Sequence, residues 1–336
     1  MRSVLILILA TWFFPQVSAQ NLSWNEFNPI VKASLRGLSP VSENVCWASG
    51  AGGTWLKTTD GGKTWESGKI AGLDTVDFRS IQAWDEQVAV VASAGQPAVI
   101  YRTTDGGKTW AKVHQEGPEA FFDAIAFAGK KRGFVLGDPV DGKWMILQTK
   151  NGGNSWKMMD FLPDAFPGEA AFAASSSSMI SGPKGVGFAT GGSVARWHFF
   201  SKSKQHWTVK VLSEMAQGES AKGVFAVVEV KDHLVMVGGD YTLLKSREGN
   251  SLLVGNGSNR IPERVPMGYR SGVTYWKNKG LLLAVGPSGS DYSLDSGQTW
   301  ESFSEKGYHA VKVSLDGKSV WASGSGGRLA QLEILD

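Results

Sequence analysis

The chain has 336 residues, with 42 Gly, 14 Trp, 34 basic and 31 acidic side chains and a single cysteine. A formal net charge of +3 argues against a nucleic-acid partner, which needs a clustered basic surface, and Cys46 alone supports neither a disulfide framework nor a cysteine metal site. So much Gly and Trp with so little charge is incompatible with disorder and fits short strands joined by tight turns.

In chain order, Arg2 precedes the apolar run Val4 to Phe14 and then Val17-Ser18-Ala19, small residues where a signal peptidase cuts. The run is too short for the roughly 20 residues that span a bilayer. Residues 1–19 are therefore expected to be a cleaved export signal, leaving 20–336 as one soluble domain, periplasmic or extracellular. No cysteine follows the cut, so no lipid acceptor is present there. Asn21-Leu22-Ser23 and Asn256-Gly257-Ser258 would accept glycans only on a eukaryotic secretory route.

The octet Thr58-Thr59-Asp60-Gly61-Gly62-Lys63-Thr64-Trp65 returns unchanged at Thr103 to Trp110, and in altered form at Asn151 to Trp156 and Asp295 to Trp300. Asp can bond the amides of its own turn, and Gly supplies the positive φ that other residues resist. From Trp65 the next turn tryptophans are 45, 46 and 51 residues apart, ending at Trp207, and Trp300 comes 93 later, about two periods. A period in the forties without helical stripes predicts a β-propeller with one four-stranded blade per repeat.

A short apolar strand ending in glycine lies upstream of each turn: Val45 to Gly50, Val88 to Gly95, Gly133 to Gly137, Gly185 to Gly192, Leu234 to Gly239, Leu281 to Gly286 and Ser319 to Gly324. These are the second strands of seven blades. Third strands are expected at Thr54 to Thr58, Ala98 to Thr103, Trp144 to Thr149, Ala195 to Ser201, Tyr241 to Ser246, Ser290 to Ser293 and Arg328 to Ile334. The seventh unit stops without an Asp turn or fourth strand, whereas Ser23-Trp24-Asn25-Glu26-Phe27 is similar to the segments just after the other turns, such as Thr64 to Ser67 and Thr299 to Phe303. The N-terminal strand is thus expected to complete the last blade and close the ring, removing open edges. The turns of blades four and five are worn: Ser201 to Trp207 lacks Asp and Gly, and Ser246 to Asn250 lacks Trp. Asp160 to Pro183 and Gly249 to Gly268 are the longest insertions and are candidate binding loops.

The Ser/Thr-x-Asp-x-Gly-x-Thr-Trp pattern, at Asp60, Asp105, Asn151 and Asp295, resembles the Asp-box or bacterial neuraminidase repeat of sialidases, sortilin-type receptors and the photosystem II stability/assembly factor-like family. The last is most similar in its blade number, export signal and Gly-ended second strands. That resemblance implies a non-catalytic propeller that docks or chaperones other proteins; the repeats themselves predict an all-β, seven-bladed ring, expected to be a monomer without a cofactor. The turn itself is structural, so function must be argued from a site.

In an up-and-down blade the Asp turns share one face, and the start of strand one shares the other with the connection of strands two and three. Aligning the blades at the start of strand one gives Arg36, Arg79, Asp123, roughly Ser175, Lys222, Arg270 and His309. Arg270, His309, Arg36 and Arg79 would form a basic arc across adjacent blades six, seven, one and two, suited to a carboxylate or acidic peptide. The two-to-three connections add Asp138, Asp141 and Asp240, as acid/base groups, metal ligands or simple turn residues. A sialidase-like hydrolase is the alternative reading. It would call on Arg36, Arg79 and Arg270, with a carboxylate from Asp123, Asp138 or Asp240, but no Tyr-Glu pairing is evident near Tyr269 or Tyr308. A propeller oxidoreductase ranks third, since no metal-ligand cluster is visible: His114, His198, His206, His233 and His309 are scattered.

Overall fold

The computed structural model describes residues 22–255 and 257–335. The expected export signal and the asparagines of both candidate glycan sites, Asn21 and Asn256, lie outside the described residues. The described residues form seven antiparallel sheets, one per blade, six of them four-stranded. Blade one is the simplest: Leu35–Pro40, Cys46–Gly50, Thr54–Thr58 and Glu66–Lys69, running outward from the channel.

Between the blades lie apolar clusters, each joining one sheet to the next. Trp47 and Trp55 of blade one meet Phe78, Ile81 and Val91 of blade two, and Leu35, Leu38 and Leu56 of blade one meet Ala310 and Trp321 of blade seven. Trp47, Trp144 and Trp321 are fully buried. A buried Trp removes about 150–250 Å² from water, roughly 4–6 kcal/mol at about 25 cal/mol per Å².

The N-terminal strand closes the ring as expected. Leu22–Phe27 pairs antiparallel with Leu329–Ile334, placing Trp24 opposite Leu332. Alternation along the strand sends Trp24 into the core shared with blade six, where Nε1 donates to Ser290 Oγ at 3.0 Å. Phe27 stacks on Trp321 at 5.5 Å and tilts against Trp65 at 5.9 Å. Between them, Glu26 Oε1 accepts from Tyr308 Oη at 2.9 Å, and Oε2 pairs with Lys306 at 3.1 Å.

The repeated octet is a hydrogen-bonded turn. Thr64 N and Oγ1 donate to Asp60 Oδ1 and Oδ2 at 2.9 and 2.6 Å, and Gly62 N donates to Thr58 Oγ1 at 2.9 Å. Gly62 has φ of 87°, and a Cβ there would lie 2.4 Å from the Phe27 ring, so the turn is fitted to the closing strand. The same bonds recur around Asp105 and Asp295, and Asn151 Oδ1 accepts from Ser155 N at 3.1 Å. These bonds to Thr64 and Thr109 lower the Asp60 and Asp105 carboxyls to about 2.

One expectation fails in the worn half. Tyr241 to Ser246 forms turns, and the third strand of blade five is Ser251–Val254, with Asn259–Arg260 after it. The reason is local: Asp240 Oδ1 accepts from Thr242 N and Oγ1 at 2.8 and 2.6 Å and ends the second strand, whereas 251–254 is wholly buried and apolar from Leu252 on. Asn250, fully buried, fixes the strand start by donating to Pro266 O and Gly268 O. The insertion 160–183 also holds structure: Glu169–Ala170 pairs with Gly191–Gly192, which pairs with the first strand of blade five, Glu219–Val230. Blade five thereby becomes a six-stranded sheet.

Candidate binding site at the channel mouth

The first strands of four blades carry a β-bulge at their start. Pairing jumps from Leu35↔Gly50 to Gly37↔Ser49, from Asp77↔Ala94 to Ser80↔Ala92, from Phe122↔Gly137 to Ala124↔Leu136, and from Val224↔Gly238 to Ala226↔Val237. A bulge inserts a residue and re-aims its side chain. Those left out of register include Arg36, Arg79, Asp123 and Phe225. In blades six and seven, Ser271 and His309 occupy the same place, just before the pairs Gly272↔Val285 and Ala310↔Ser323. All six line one cavity of 480 Å³.

The residue after each is small: Gly37, Ser80, Ala124, Ala226, Gly272 and Ala310. Inner strands approach closely here, since a Cβ on Gly37 would lie 2.1 Å from Ser49 Oγ and 3.3 Å from Phe78 O. Hydroxyls tie strand to strand, with Ser49 Oγ donating to Phe78 O at 2.8 Å and Ser271 Oγ to His309 O at 2.7 Å.

The far wall comes from the insertion. Residues 170–174 line the cavity, with Phe172 stacked on Phe225 at 3.8 Å and Tyr269 edge-on to Phe225 at 4.7 Å. The segment is tied to blades on every side. Arg36 Nη1 donates to Ala174 O at 3.2 Å, Ala171 N to Asp138 Oδ1 at 3.1 Å, and Ser175 Oγ to Ser271 O at 2.6 Å. Its base is clasped by Glu169, whose side chain is fully buried: Oε1 accepts from Thr190 at 2.6 Å and lies 3.1 Å from His198 Nε2, and Arg196 pairs with both oxygens. Although burial opposes ionisation, bonds from His198 and Arg196 bring Glu169 to about 2.

The basic arc is smaller than the sequence alignment suggests. Arg270 is buried between strands, with Nε bonded to Asp291 Oδ2 at 2.5 Å and Nη1 to Tyr269 O at 2.9 Å; the mouth position is its neighbour Ser271. His309 is in place, but burial, then the charges of Arg36 and Arg79, lower it to about 3, so it is neutral at pH 7. Its Nε2 lies 3.1 and 2.8 Å from the hydroxyls of Ser34 and Ser325. Arg79 Nε bonds Asp77 Oδ2 at 2.7 Å. Arg36, mostly buried, forms no carboxylate pair among the described residues and is thus the cation most available to a ligand.

Lys222 and Asp240 do not line the cavity. They face each other across the first two strands of blade five, three residues before the bulge at Phe225 in the case of Lys222, which pairs with Glu219. Asp141 is an exposed turn residue with φ of 51°. Asp123 and Asp138 do line the cavity. Burial raises the Asp123 pKa well above the ordinary range, Asp138 adds to this, and Arg79 opposes it; burial likewise raises Asp138.

The three arginines a sialidase reading requires do not converge, because Arg270 is committed to Asp291. A Tyr-Glu pair does exist, Tyr308 with Glu26, contrary to expectation, but neither residue lines the cavity, and the pair fastens the closing strand. Among the described residues no group of three or more His, Cys, Asp or Glu is arranged to hold a metal ion, and no helix is long and apolar enough to cross a membrane.

Fold and mouth together define a closed seven-bladed propeller that resembles the photosystem II assembly factor family. Residues 16–118, spanning the closing strand and blades one and two, match the family model described as Photosynthesis system II assembly factor YCF48. No curated protein matches the sequence. Among solved structures, YCF48 bound to D1 peptide is 16% identical over 93% of this chain and 95% of its own, with a TM-score of 0.65. YCF48 from Cyanidioschyzon merolae is 19% identical over 93% and 98%, with a TM-score of 0.63. U3-55K is 12% identical over 95% and 100%, with a TM-score of 0.62. Identities this low speak for the fold alone.

Proposed function

We propose that this is an exported propeller that binds a segment of another protein at the channel mouth and acts as an assembly factor. The observation that carries the reading is the convergence of six blades, through one structural position each, on a 480 Å³ cavity in which Arg36 has no carboxylate partner among the described residues. A bilateral wall, charged on blades one to three and aromatic on the insertion and blades five and six, suits a peptide better than a sugar or a metal. The structure of YCF48 with a D1 peptide supports a peptide as the kind of ligand such a ring can take. Export is supported by the pattern of residues 1–19, and the N-terminal sequence of the purified protein, expected to begin at Gln20, tests it.

The binding test is affinity capture from the native envelope or medium with wild type and with Arg36→Ala/Arg79→Ala. A hydrogen bond to a charged group contributes about 1.5–3 kcal/mol, so the double variant should bind its captured partner at least roughly tenfold more weakly. Unchanged affinity for every captured partner would overturn the reading.

A further inference from the structure

Charge within the mouth is divided, and the acidic side has no internal explanation. Asp123 is fully buried, yet neither carboxyl oxygen has a hydrogen-bond partner. A buried polar group left unpaired keeps its full desolvation penalty, and such groups in native proteins call for a reason. Arg79 is the cation that acts on Asp123 most directly, but it is bonded to Asp77. Asp138 stands beside it as a second carboxyl, using one oxygen on Ala171 N. Both acids line the same cavity as Arg36.

We infer that Asp123 and Asp138 form a cation-recognition half-site, so that the ligand of the mouth is a protein segment presenting an ammonium group together with a carboxylate, rather than a uniformly acidic one. This rests on the reading that the mouth holds a protein segment, and it goes further by specifying the chemistry. The two half-sites differ in kind. Arg36 offers guanidinium N–H donors to a carboxylate, whereas the acids on blade three offer acceptors to an ammonium. Without a cation, burial and the neighbouring Asp138 push the Asp123 pKa well up and so disfavour its charged form; a cation beside it favours the carboxylate. A lysine side chain and a free amino terminus supply the same chemistry.

Calorimetry with short synthetic peptides separates the possibilities. Acetyl-Ala-Lys-Ala with a free carboxylate should bind at least tenfold more tightly than acetyl-Ala-norleucine-Ala, which has nearly the same length and no charge on the side chain. Asp123→Asn should bring that ratio close to one. Asp138→Asn, at a position less deeply buried, should reduce it and serves if the first variant does not fold. Tighter binding of unacetylated Ala-Ala-Ala than of its acetylated form supports the inference and assigns the ammonium to an amino terminus. Equal affinity for the lysine, norleucine and free-amine peptides overturns the inference while leaving a carboxylate-binding mouth in place. Loss of discrimination between the acid and its C-terminal amide, with the lysine preference kept, overturns the Arg36 reading alone. Absence of binding by all of these peptides overturns both.

Discussion

Blades one and two and blades four and five solve the same packing problem with different means. In the first pair each outer turn is closed by an Asp, a Thr and two left-handed glycines, and the mouth receives one arginine from each blade. In the second pair the Asp turns are gone and the chain has been used on the opposite face. Trp207, which would otherwise come after a standard turn, donates from Nε1 to Phe161 O at 3.0 Å and holds the insertion. Blade five places its long connection, residues 241–250, beside the cavity, with Tyr241 in the lining. Regular turns stabilise the ring locally; their loss is compatible with a stable blade when inter-blade packing and a buried polar clasp replace them.

The largest effect on this contrast should come from the closure that serves the regular side. Deleting residues 21–28 removes Trp24 and Phe27 from two inter-blade cores. Truncating a buried aromatic alone costs about 3–5 kcal/mol, and about 2–4 °C accompanies each kcal/mol in a domain near this size. The melting temperature should fall by more than about 15 °C, and an unchanged melt would refute closure by this strand.

Next in size is the clasp of the irregular side. Glu169→Gln leaves Arg196 and His198 partly uncompensated, and breaking a buried pair costs about 3–5 kcal/mol. Hydrogen exchange should speed up across 164–178 while the amides of blade one stay protected. The pH dependence has a defined sign. Glu169 is lowered to about 2 from an ordinary 4.5, so its stabilisation is complete above about 4.5 and is lost as pH falls toward 2. Exchange in 164–178 that is insensitive to pH over that window would count against the clasp.

The smallest effect is the sharpest comparison of the two halves. Asp105→Ala should lower the melting temperature, since it removes a cap-like set of bonds, while Ser201→Ala at the worn turn should leave it nearly unchanged. Equal losses would mean that the Asp turns contribute nothing special. The companion NMR measurement is the Asp60 and Asp105 carboxyl titration, expected near 2; ordinary values would show that the threonine bonds are not made in solution.

Much of the ring was legible because its repeat is carried by residues with few substitutes, Gly at positive φ and Asp in a turn, and because the last unit lacked a strand that the N terminus resembled. The mouth was legible where alignment happened to fall on the bulge, as at Arg36, Arg79 and Asp123, or on the equivalent place in blade seven, His309. It failed at Arg270 and Lys222 because charge drew the alignment, whereas register is set by the small residue next in the chain: Gly272 after Ser271 and Ala226 after Phe225. That signal was present in the sequence. The wall at 170–174 was legible only as part of the candidate loop 160–183, and its placement was not, since Ala-Ala-Phe-Ala-Ala has neither helix nor strand period and is held by contacts from distant blades. Glu169 and His198 are 29 residues apart, and nothing local connects them.

Pairing Leu22–Phe27 with Leu329–Ile334 also sets an order of events. Synthesis delivers the first of these strands about 300 residues before its partner, so the segment that completes the ring must wait while the six intervening blades are made. Blades one to six consist of sequence-local hairpins, whereas the seventh needs contact across almost the whole chain, the kind of separation that slows folding. The two strands therefore act as a latch on a finished object. Until they meet, Trp24 and Phe27 cannot enter the inter-blade cores that they help to fill in the finished ring.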